Sequence, residues 1–142
     1  MLLTPAAKYE IVPAGQGLMT RTVLAIDLRD DPAAIQTYRR HHQEVWPEVL
    51  ASLRRAGIRQ MDIYLLDRRL VMILETDEAD FRRCFAAHAA SSPRVVEWEA
   101  LMRSLQTPAP GAPPGDWWTP MEPVFSLYRA EDTQSVQPAR HH

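Results

Sequence analysis

Residues 38–48, YRRHHQEVWPE, hold more groups capable of chemistry than any other stretch of the chain. They include a phenol, two neighbouring imidazoles, an indole and two carboxylates. Tyr38 and His42 are one helical turn apart, so on a helix their side chains lie on the same face. A histidine with an ordinary pKa of about 6.5 gives and takes protons at neutral pH. The segment has two possible interpretations. It is either a site of proton transfer or a helix on which the polar ends of Tyr and His only find hydrogen-bond partners at the edge of the core.

Metal-binding and nucleotide-binding patterns are missing from the sequence. His41 and His42 are adjacent on the predicted helix, so they point about 100° apart and make a poor pair of metal ligands. We expect His41 to lie in solvent. No H-x-x-x-H or C-x-x-C spacing occurs, and neither a Walker loop nor a G-x-G-x-x-G loop is present. We therefore expect no metal.

Aromatic and acidic residues elsewhere add further candidates. Trp98 lies on the apolar stripe of a later predicted helix, where it is either a core aromatic or a wall of a binding site. Trp117 and Trp118 stand in a Pro-rich segment, which predicts a loop that folds over a cavity or makes an interface. Glu75 ends an apolar strand, LVMILE, and either meets a partner or substrate hydroxyl or lies in water at the strand end.

The composition is that of one ordinary globular domain. The chain has 142 residues, of which 46% are apolar and 24% charged, enough for one buried core. The net charge of -2 comes from interspersed acidic and basic residues, so we expect no nucleic-acid partner. No run of about 18 apolar residues is present, so we expect no membrane span. The single cysteine, Cys84, is typical of a reducing compartment, and we expect a cytoplasmic protein.

The hydrophobic patterns predict elements in the order β–α–β–β–α–β. Asp31 followed by Pro32 predicts a helix start, and Pro47 is expected to break that helix near Trp46. The predicted elements are a strand from Arg21, a helical region that reaches Gly57, a hairpin of strands at 61–66 and 70–76, a helix capped by Thr76 or Asp77, a helix after the cap Ser92, a loop at 107–120 and a strand at 122–129.

This order is that of the ferredoxin-like α+β fold, an antiparallel sheet with helices on one face. The segments VLAIDL and LVMILE are apolar on both alternating sets of residues, which indicates burial on both faces. A second copy is the simplest cover for the face without helices, so we expect a homodimer joined through its sheet faces. We expect residues 20–129 to form this single domain, between a flexible N-terminal extension at 1–19 and a disordered tail at 130–142.

Several short motifs, in order, resemble those of the L-rhamnose mutarotase family over residues 20–129. The motif Y-x-x-x-H-x-x-x-W-P-E that opens the first helix is fairly specific, and the others count by their order. They are Tyr38-x-x-x-His42, VWPE at 45–48, IYL at 63–65, Trp98 followed by Met102, and ME-x-VF-x-L at 121–127.

The resemblance implies a dimeric α/β barrel that interconverts the α and β anomers of a 6-deoxy-L-sugar without cofactor or metal. It implies that His42 is the catalytic proton donor and that Tyr38 and Trp98 bind the monosaccharide. We add Trp46, from the same motif, and Glu75 to the expected substrate-binding residues. Rhamnose-specific relatives have a second tryptophan after the first and a tyrosine on the second strand. This chain has Glu99 and Met61 there, so the sugar is left as L-rhamnose or L-fucose.

Two other functions are compatible with the same fold, because a fold does not determine a function. One is a cofactor-free or haem-binding oxygenase on a dimeric barrel. The other is a non-catalytic module that binds a sugar or another metabolite in an aromatic cavity.

Overall fold

The computed structural model of the chain describes residues 8–14 and 17–127. Within these residues, no helix is long and apolar enough to cross a membrane. The elements are β1 (Glu10–Ala14), β2 (Gly17–Leu28), α1 (Pro32–Gln43), α2 (Pro47–Arg55), β3 (Ile58–Leu66), β4 (Arg69–Thr76), α3 (Phe81–Ala89), α4 (Pro93–Leu105), β5 (Gln106–Thr107) and β6 (Thr119–Pro120).

The strands form one antiparallel sheet in the order β1-β2-β4-β3, and β5 and β6 also pair with β2. The long strand β2 has different neighbours along one edge: β1 pairs with its first half, and β6 and β5 pair with its second half. Without β1, this is the strand order of a ferredoxin-like βαββαβ unit. The predicted α+β fold is confirmed.

Side chains alternate across this sheet, and the alternate sets have different surroundings. Leu24 lies opposite Met72, which in turn lies opposite Ile63 on β3. These residues belong to the set that packs against the helices, in a core that includes Val95 and Phe81. The intervening set belongs to neither of the two core clusters that contain helix residues, and it comprises Val23, Ala25, Val71 and Ile73. The helices therefore lie on one face, as predicted.

Most helix boundaries follow from local chemistry that the sequence displays. The Asp31 carboxylate accepts a hydrogen bond from Ala33 N at 3.0 Å and caps α1. Pro47 separates α1 from α2, with Trp46 extended between them. Gly57 follows α2 with a φ of 96°, a conformation that costs glycine little. Ser92 caps α4 through Val95 N.

The sheet begins earlier than the sequence analysis predicted. The segments 10–14 and 17–19, assigned to a flexible extension, lie in β1 and β2. Pro13 is tolerated because β1 is an edge strand. Residues 1–7 and the tail at 130–142 lie outside the described residues, so those boundaries stay predictions.

Two other predicted elements are wrong in position. The helix expected from Thr76 or Asp77 begins at Phe81 with Asp80 as its cap, because the Thr76 hydroxyl donates to Glu78 O and holds a turn. The strand predicted at 122–129 is replaced by the two-residue strand β6, and residues 121–126 have no regular structure. Pro123 has no N–H to donate to a ladder, and residues 128 and 129 lie outside the described part of the chain.

Candidate active site

Tyr38 and His42 form a stacked pair on the inner face of α1. Their ring centroids are 4.1 Å apart and their planes are inclined by 26°. The Nδ1 of His42 lies 2.9 Å from the backbone oxygen of Tyr38. Because a carbonyl oxygen only accepts, the proton of the neutral imidazole is assigned to Nδ1. The Nε2 atom therefore keeps its lone pair.

The surroundings of His42 favour its neutral form. Burial lowers the pKa of His42, and this effect is larger than the opposing effect of the hydrogen bond to Tyr38 O. A neutral imidazole with Nδ1 occupied acts through Nε2, first as a base and then, once protonated, as an acid.

Trp98 and Trp46 continue the aromatic cluster that begins at Tyr38. The Trp98 ring, on α4, meets the His42 ring edge-on at 5.5 Å and the Trp46 ring at 5.0 Å. The guanidinium of Arg94 covers Trp46 at 3.5 Å from its centroid. The structure therefore brings together Tyr38, His42, Trp46 and Trp98, all four of which the sequence analysis named.

The prediction that His41 lies in solvent is wrong. Its Nδ1 lies 2.9 Å from Thr37 O, and its ring contacts Trp98 edge-on at 6.1 Å. The ring is partly buried because Trp98 is broad enough to contact both histidines. His41 does not line the cavity described next.

A cavity of about 1100 Å³ opens between the helices and the edge strand β3. Tyr38, His42 and Trp98 line it, whereas Trp46 packs behind Trp98. Its walls also include the apolar side chains Met61, Ile63, Leu65 and Met72. Charged side chains such as Arg39, Glu99 and Arg103 line it as well. Its volume is slightly above the usual range of small-molecule sites, about 300–1,000 Å³.

Trp117 and Trp118 lie in the Pro-rich loop, and both line the same cavity. The indole N–H of Trp117 donates to Gln106 Oε1 at 2.9 Å, and Arg103 covers its ring at 4.6 Å. Of the two alternatives left by the sequence, the structure shows the loop folded over a cavity.

The Tyr38 hydroxyl is held as a neutral phenol. Burial raises the pKa of Tyr38 strongly, the contact with the Gln106 side chain opposes that rise, and the charge of Glu99 adds to it. Tyr38 is thus a hydrogen-bonding group rather than an acid near neutral pH. Gln106 was not predicted from the sequence, since a single glutamine just after a helix carries no sequence signal.

Glu75 is not part of this cavity. It belongs to the set of β4 residues that faces away from the helices, and its carboxylate accepts from Arg21 at 3.2 and 3.3 Å. Both residues line a separate, smaller concavity with Asp62. Because side chains alternate along β4, Glu75 lies on the opposite face of the sheet from His42. Its charged partner is Arg21.

A polar chain that the sequence analysis missed runs behind the cavity. Ser52 Oγ lies 2.8 Å from His88 Nδ1, and His88 Nε2 lies 3.3 Å from a Glu99 oxygen. Ser52 and His88 are buried, and both His88 and Glu99 line the cavity. These residues come from α2, α3 and α4, so no local spacing in the sequence indicates them.

Metal chemistry has no donor set in this region. Among residues 8–14 and 17–127, no cluster of three or more His, Cys, Asp or Glu side chains could hold a metal ion. Cys84 is fully buried, and burial raises the pKa of its thiol. The arrangement is suited to proton transfer on an uncharged polar molecule held between aromatic rings.

Comparisons with known proteins agree with this description. A family model for L-rhamnose mutarotase matches residues 21–127. The chain is 42% identical to an L-fucose mutarotase of Xanthomonas campestris, over 82% of this chain and 94% of that one. It is 31% identical to an L-rhamnose mutarotase of Acidiphilium cryptum, over 73% and 96% of the two chains.

A solved structure supports the fold. The crystal structure of an L-rhamnose mutarotase from Formosa agariphila superposes with a TM-score of 0.52 at 20% identity, over 75% of this chain and 97% of that one. The match to the family model covers most of the chain, and it includes the stacked pair and the tryptophan that build the cavity. The chain belongs to the L-rhamnose mutarotase family.

Proposed function

We propose that this protein interconverts the α and β anomers of a 6-deoxy-L-aldose, either L-rhamnose or L-fucose. The observation that carries the proposal is the free Nε2 of His42, in an imidazole whose other nitrogen is held by Tyr38 O at 2.9 Å. Membership of a family of carbohydrate isomerases supports it.

The proposed reaction opens and recloses the sugar ring. His42 Nε2 takes the proton of the anomeric hydroxyl O1 while the C1–O5 bond breaks, C1 becomes an aldehyde carbon, and O5 takes up a proton from a second donor, to which it returns the proton on reclosure. Rotation about C1–C2 then presents the other face of the aldehyde to O5. On reclosure the protonated imidazole returns its proton to O1, which is the donor role expected from the sequence. General acid–base help of roughly 10²–10⁴-fold is enough for a reaction that also proceeds unaided.

The other cavity residues bind the sugar in this proposal. Trp98, Trp117 and Trp118 offer flat apolar faces for the C–H groups of the ring. The hydroxyl of Tyr38 and the side chain of Gln106 provide hydrogen bonds within the cavity. The size of the cavity allows the open-chain form to turn without leaving.

The relatives give an order of preference for the sugar. The L-fucose mutarotase is 42% identical to this chain, whereas the L-rhamnose mutarotase of Acidiphilium cryptum is 31% identical. Glu99 and Met61 stand where rhamnose-specific relatives are expected to have aromatic residues. We therefore propose L-fucose as the first substrate to test.

We also propose that two copies associate through the sheet faces that lack helices. The outward set of β2 and β4 is apolar, as described above, and it continues on β3 to Tyr64 and Leu66, which is 80% exposed. A two-fold axis pairs such a patch with itself. The ion pairs Arg21–Glu75 and Arg69–Asp27 lie on this face beside the apolar residues. Asp62, which accepts a hydrogen bond from the Gln60 amide, lies on it as well.

The function is tested by measuring anomer exchange in solution. NMR saturation transfer between α and β anomers of L-fucose, L-rhamnose and several unrelated aldoses is recorded with and without the protein. The proposal expects acceleration for a 6-deoxy-L-aldose. A sugar that raises the melting temperature without any acceleration would identify a binding module instead.

A further inference from the structure

We propose that Glu99, with His88 behind it, is the second proton-transfer group of the reaction, and that it serves the ring oxygen O5. This inference rests on the proposed anomer exchange. Opening the C1–O5 bond takes a proton from O1 and gives one to O5, and His42 serves only one of these atoms at a time.

Glu99 is placed to reach a bound sugar, whereas His88 also lines the cavity but is almost fully buried. The Glu99 side chain is 41% exposed and lines the cavity shared with Tyr38 and His42. Its negative charge contributes to the raised pKa of Tyr38, whose ring stacks on His42. His88 is buried between α2 and α4, with each ring nitrogen against a polar side chain.

The hydrogen bonds around His88 determine where its protons lie. The Ser91 hydroxyl donates to the backbone oxygen of His88 at 2.8 Å, which uses its only proton. The hydroxyl oxygens of Ser52 and Ser91 are 2.7 Å apart, so Ser52 is assigned as the donor of the hydrogen bond between them. Ser52 then has none left for His88. We therefore assign a proton to Nδ1 of His88, which donates it to Ser52 Oγ at 2.8 Å.

The proposed transfer to O5 requires a second proton between His88 and Glu99. If His88 were neutral with its proton on Nδ1, the lone pair of Nε2 would face an ionised carboxylate at 3.3 Å, and the two would repel. The contact is favourable when a proton is either on Nε2 or on the Glu99 carboxyl. In both forms one proton lies between the two side chains at the wall of the cavity, and the repulsion that arises when this proton leaves favours its transfer to O5.

This proton completes the ring opening. As C1–O5 breaks and the C1–O1 double bond forms, O1 gives its proton to His42 Nε2 and O5 receives one from the Glu99 carboxyl. After rotation about C1–C2, O5 attacks the other face of C1. O5 then returns its proton to Glu99, and His42 returns a proton to O1. No proton is gained or lost in a full cycle.

The experiment compares Glu99→Gln with Glu97→Gln in the full chain. Gln keeps the shape of Glu99 but cannot deliver the proton, whereas Glu97 is exposed and pairs only with Arg94 at 3.2 Å among the described residues. By saturation transfer with L-fucose and L-rhamnose, we expect kcat of Glu99→Gln to fall roughly 100-fold with little change in KM, and Glu97→Gln to match the wild type.

The outcomes separate this inference from the proposed function. If the wild type accelerates exchange and Glu99→Gln is equally fast, or if only its KM changes, the inference is overturned and the function stands. If the wild type does not accelerate exchange, both are overturned.

Nitrogen-15 NMR of the His88 ring in the wild-type protein gives a second test that needs no variant. The inference requires a protonated Nδ1 at neutral pH. A bare Nδ1 would overturn the proton assignment even if Glu99→Gln does not fold.

Discussion

The imidazole of His42 is held by Tyr38 in two ways, through a ring stack at 4.1 Å and through a hydrogen bond from Nδ1 to the Tyr38 backbone oxygen at 2.9 Å. The backbone contact fixes the tautomer, and the stack fixes the plane of the ring. Both depend only on a spacing of four residues in a helix, so α1 alone orients the reactive nitrogen.

Removing the Tyr38 hydroxyl separates binding from orientation. Tyr38→Phe keeps the stacked ring and the backbone carbonyl but loses the contact with Gln106. We expect sugar affinity to fall by about 1 kcal/mol, the net value of one neutral hydrogen bond, which is roughly fivefold in Kd. Isothermal titration measures this change, and Tyr9→Phe, at an exposed tyrosine, is the matched control. A larger loss of kcat than of affinity would contradict a binding role.

The pH dependence follows from the lowered pKa of His42. Because burial disfavours the imidazolium, the active neutral form persists below the ordinary histidine pKa of about 6.5. We expect the exchange rate to decline only as the pH falls through the lower, folded pKa. A rate that halves above pH 6.5 would contradict this.

The same shift affects stability with a definite sign. Below about pH 6.5 the unfolded chain binds a proton at His42 that the folded chain does not, so the free energy of unfolding falls as the pH falls. The decline should be smaller in His42→Ala, which is measured by denaturant unfolding at several pH values. Equal declines in both proteins would show that His42 titrates alike in the folded and unfolded states.

The backbone at Gly57 gives a prediction about stability alone. Its φ is 96°, and an added Cβ would lie 3.5 Å from the Cys84 sulfur. We expect Gly57→Ala to lower the free energy of unfolding by about 1–2 kcal/mol. Gly17→Ala is the control, since an added Cβ there meets nothing within 4 Å. If the two variants are equally stable, the backbone at residue 57 adjusts to the added Cβ without cost, and the prediction is contradicted.

The proposed dimer depends on the outward face of the sheet. We expect the wild type to have about twice the mass of the 16.2 kDa chain by light scattering, and Ile73→Asp to be monomeric because it places a charge in the apolar patch. Val96→Asp, on an exposed surface of α4, should stay dimeric. A monomeric wild type at micromolar concentration would overturn the proposal.

Features that depend on neighbouring residues were predictable from the sequence. The Asp31 cap, the break at Pro47 and the turn at Gly57 each follow from one or two residues, and the structure has all three. The grouping of Tyr38 with His42 was predictable for the same reason.

Features that depend on contacts between distant elements were not predictable. Glu75 lies on the sheet face away from the helices, contrary to the prediction. Only the pairing of β4 with β2 decides which alternate set of side chains meets the helices. Ser52, His88 and Glu99 meet because three helices pack together, and each is unremarkable in its own segment. The edge strand β1 was not predicted because Pro13 is a residue that strand interiors rarely contain.

The central claim is that Nε2 of His42 performs the proton transfer, and paired alanine variants test it most directly. Saturation transfer between anomers of the preferred sugar is measured for the wild type, His42→Ala and His41→Ala. We expect His42→Ala to lose most of the acceleration, on the order of 10²-fold or more, with its melting temperature and mass retained. His41→Ala should exchange anomers at close to the wild-type rate, because His41 does not line the cavity. Loss of activity in His41→Ala alone, or in neither variant, would contradict the account.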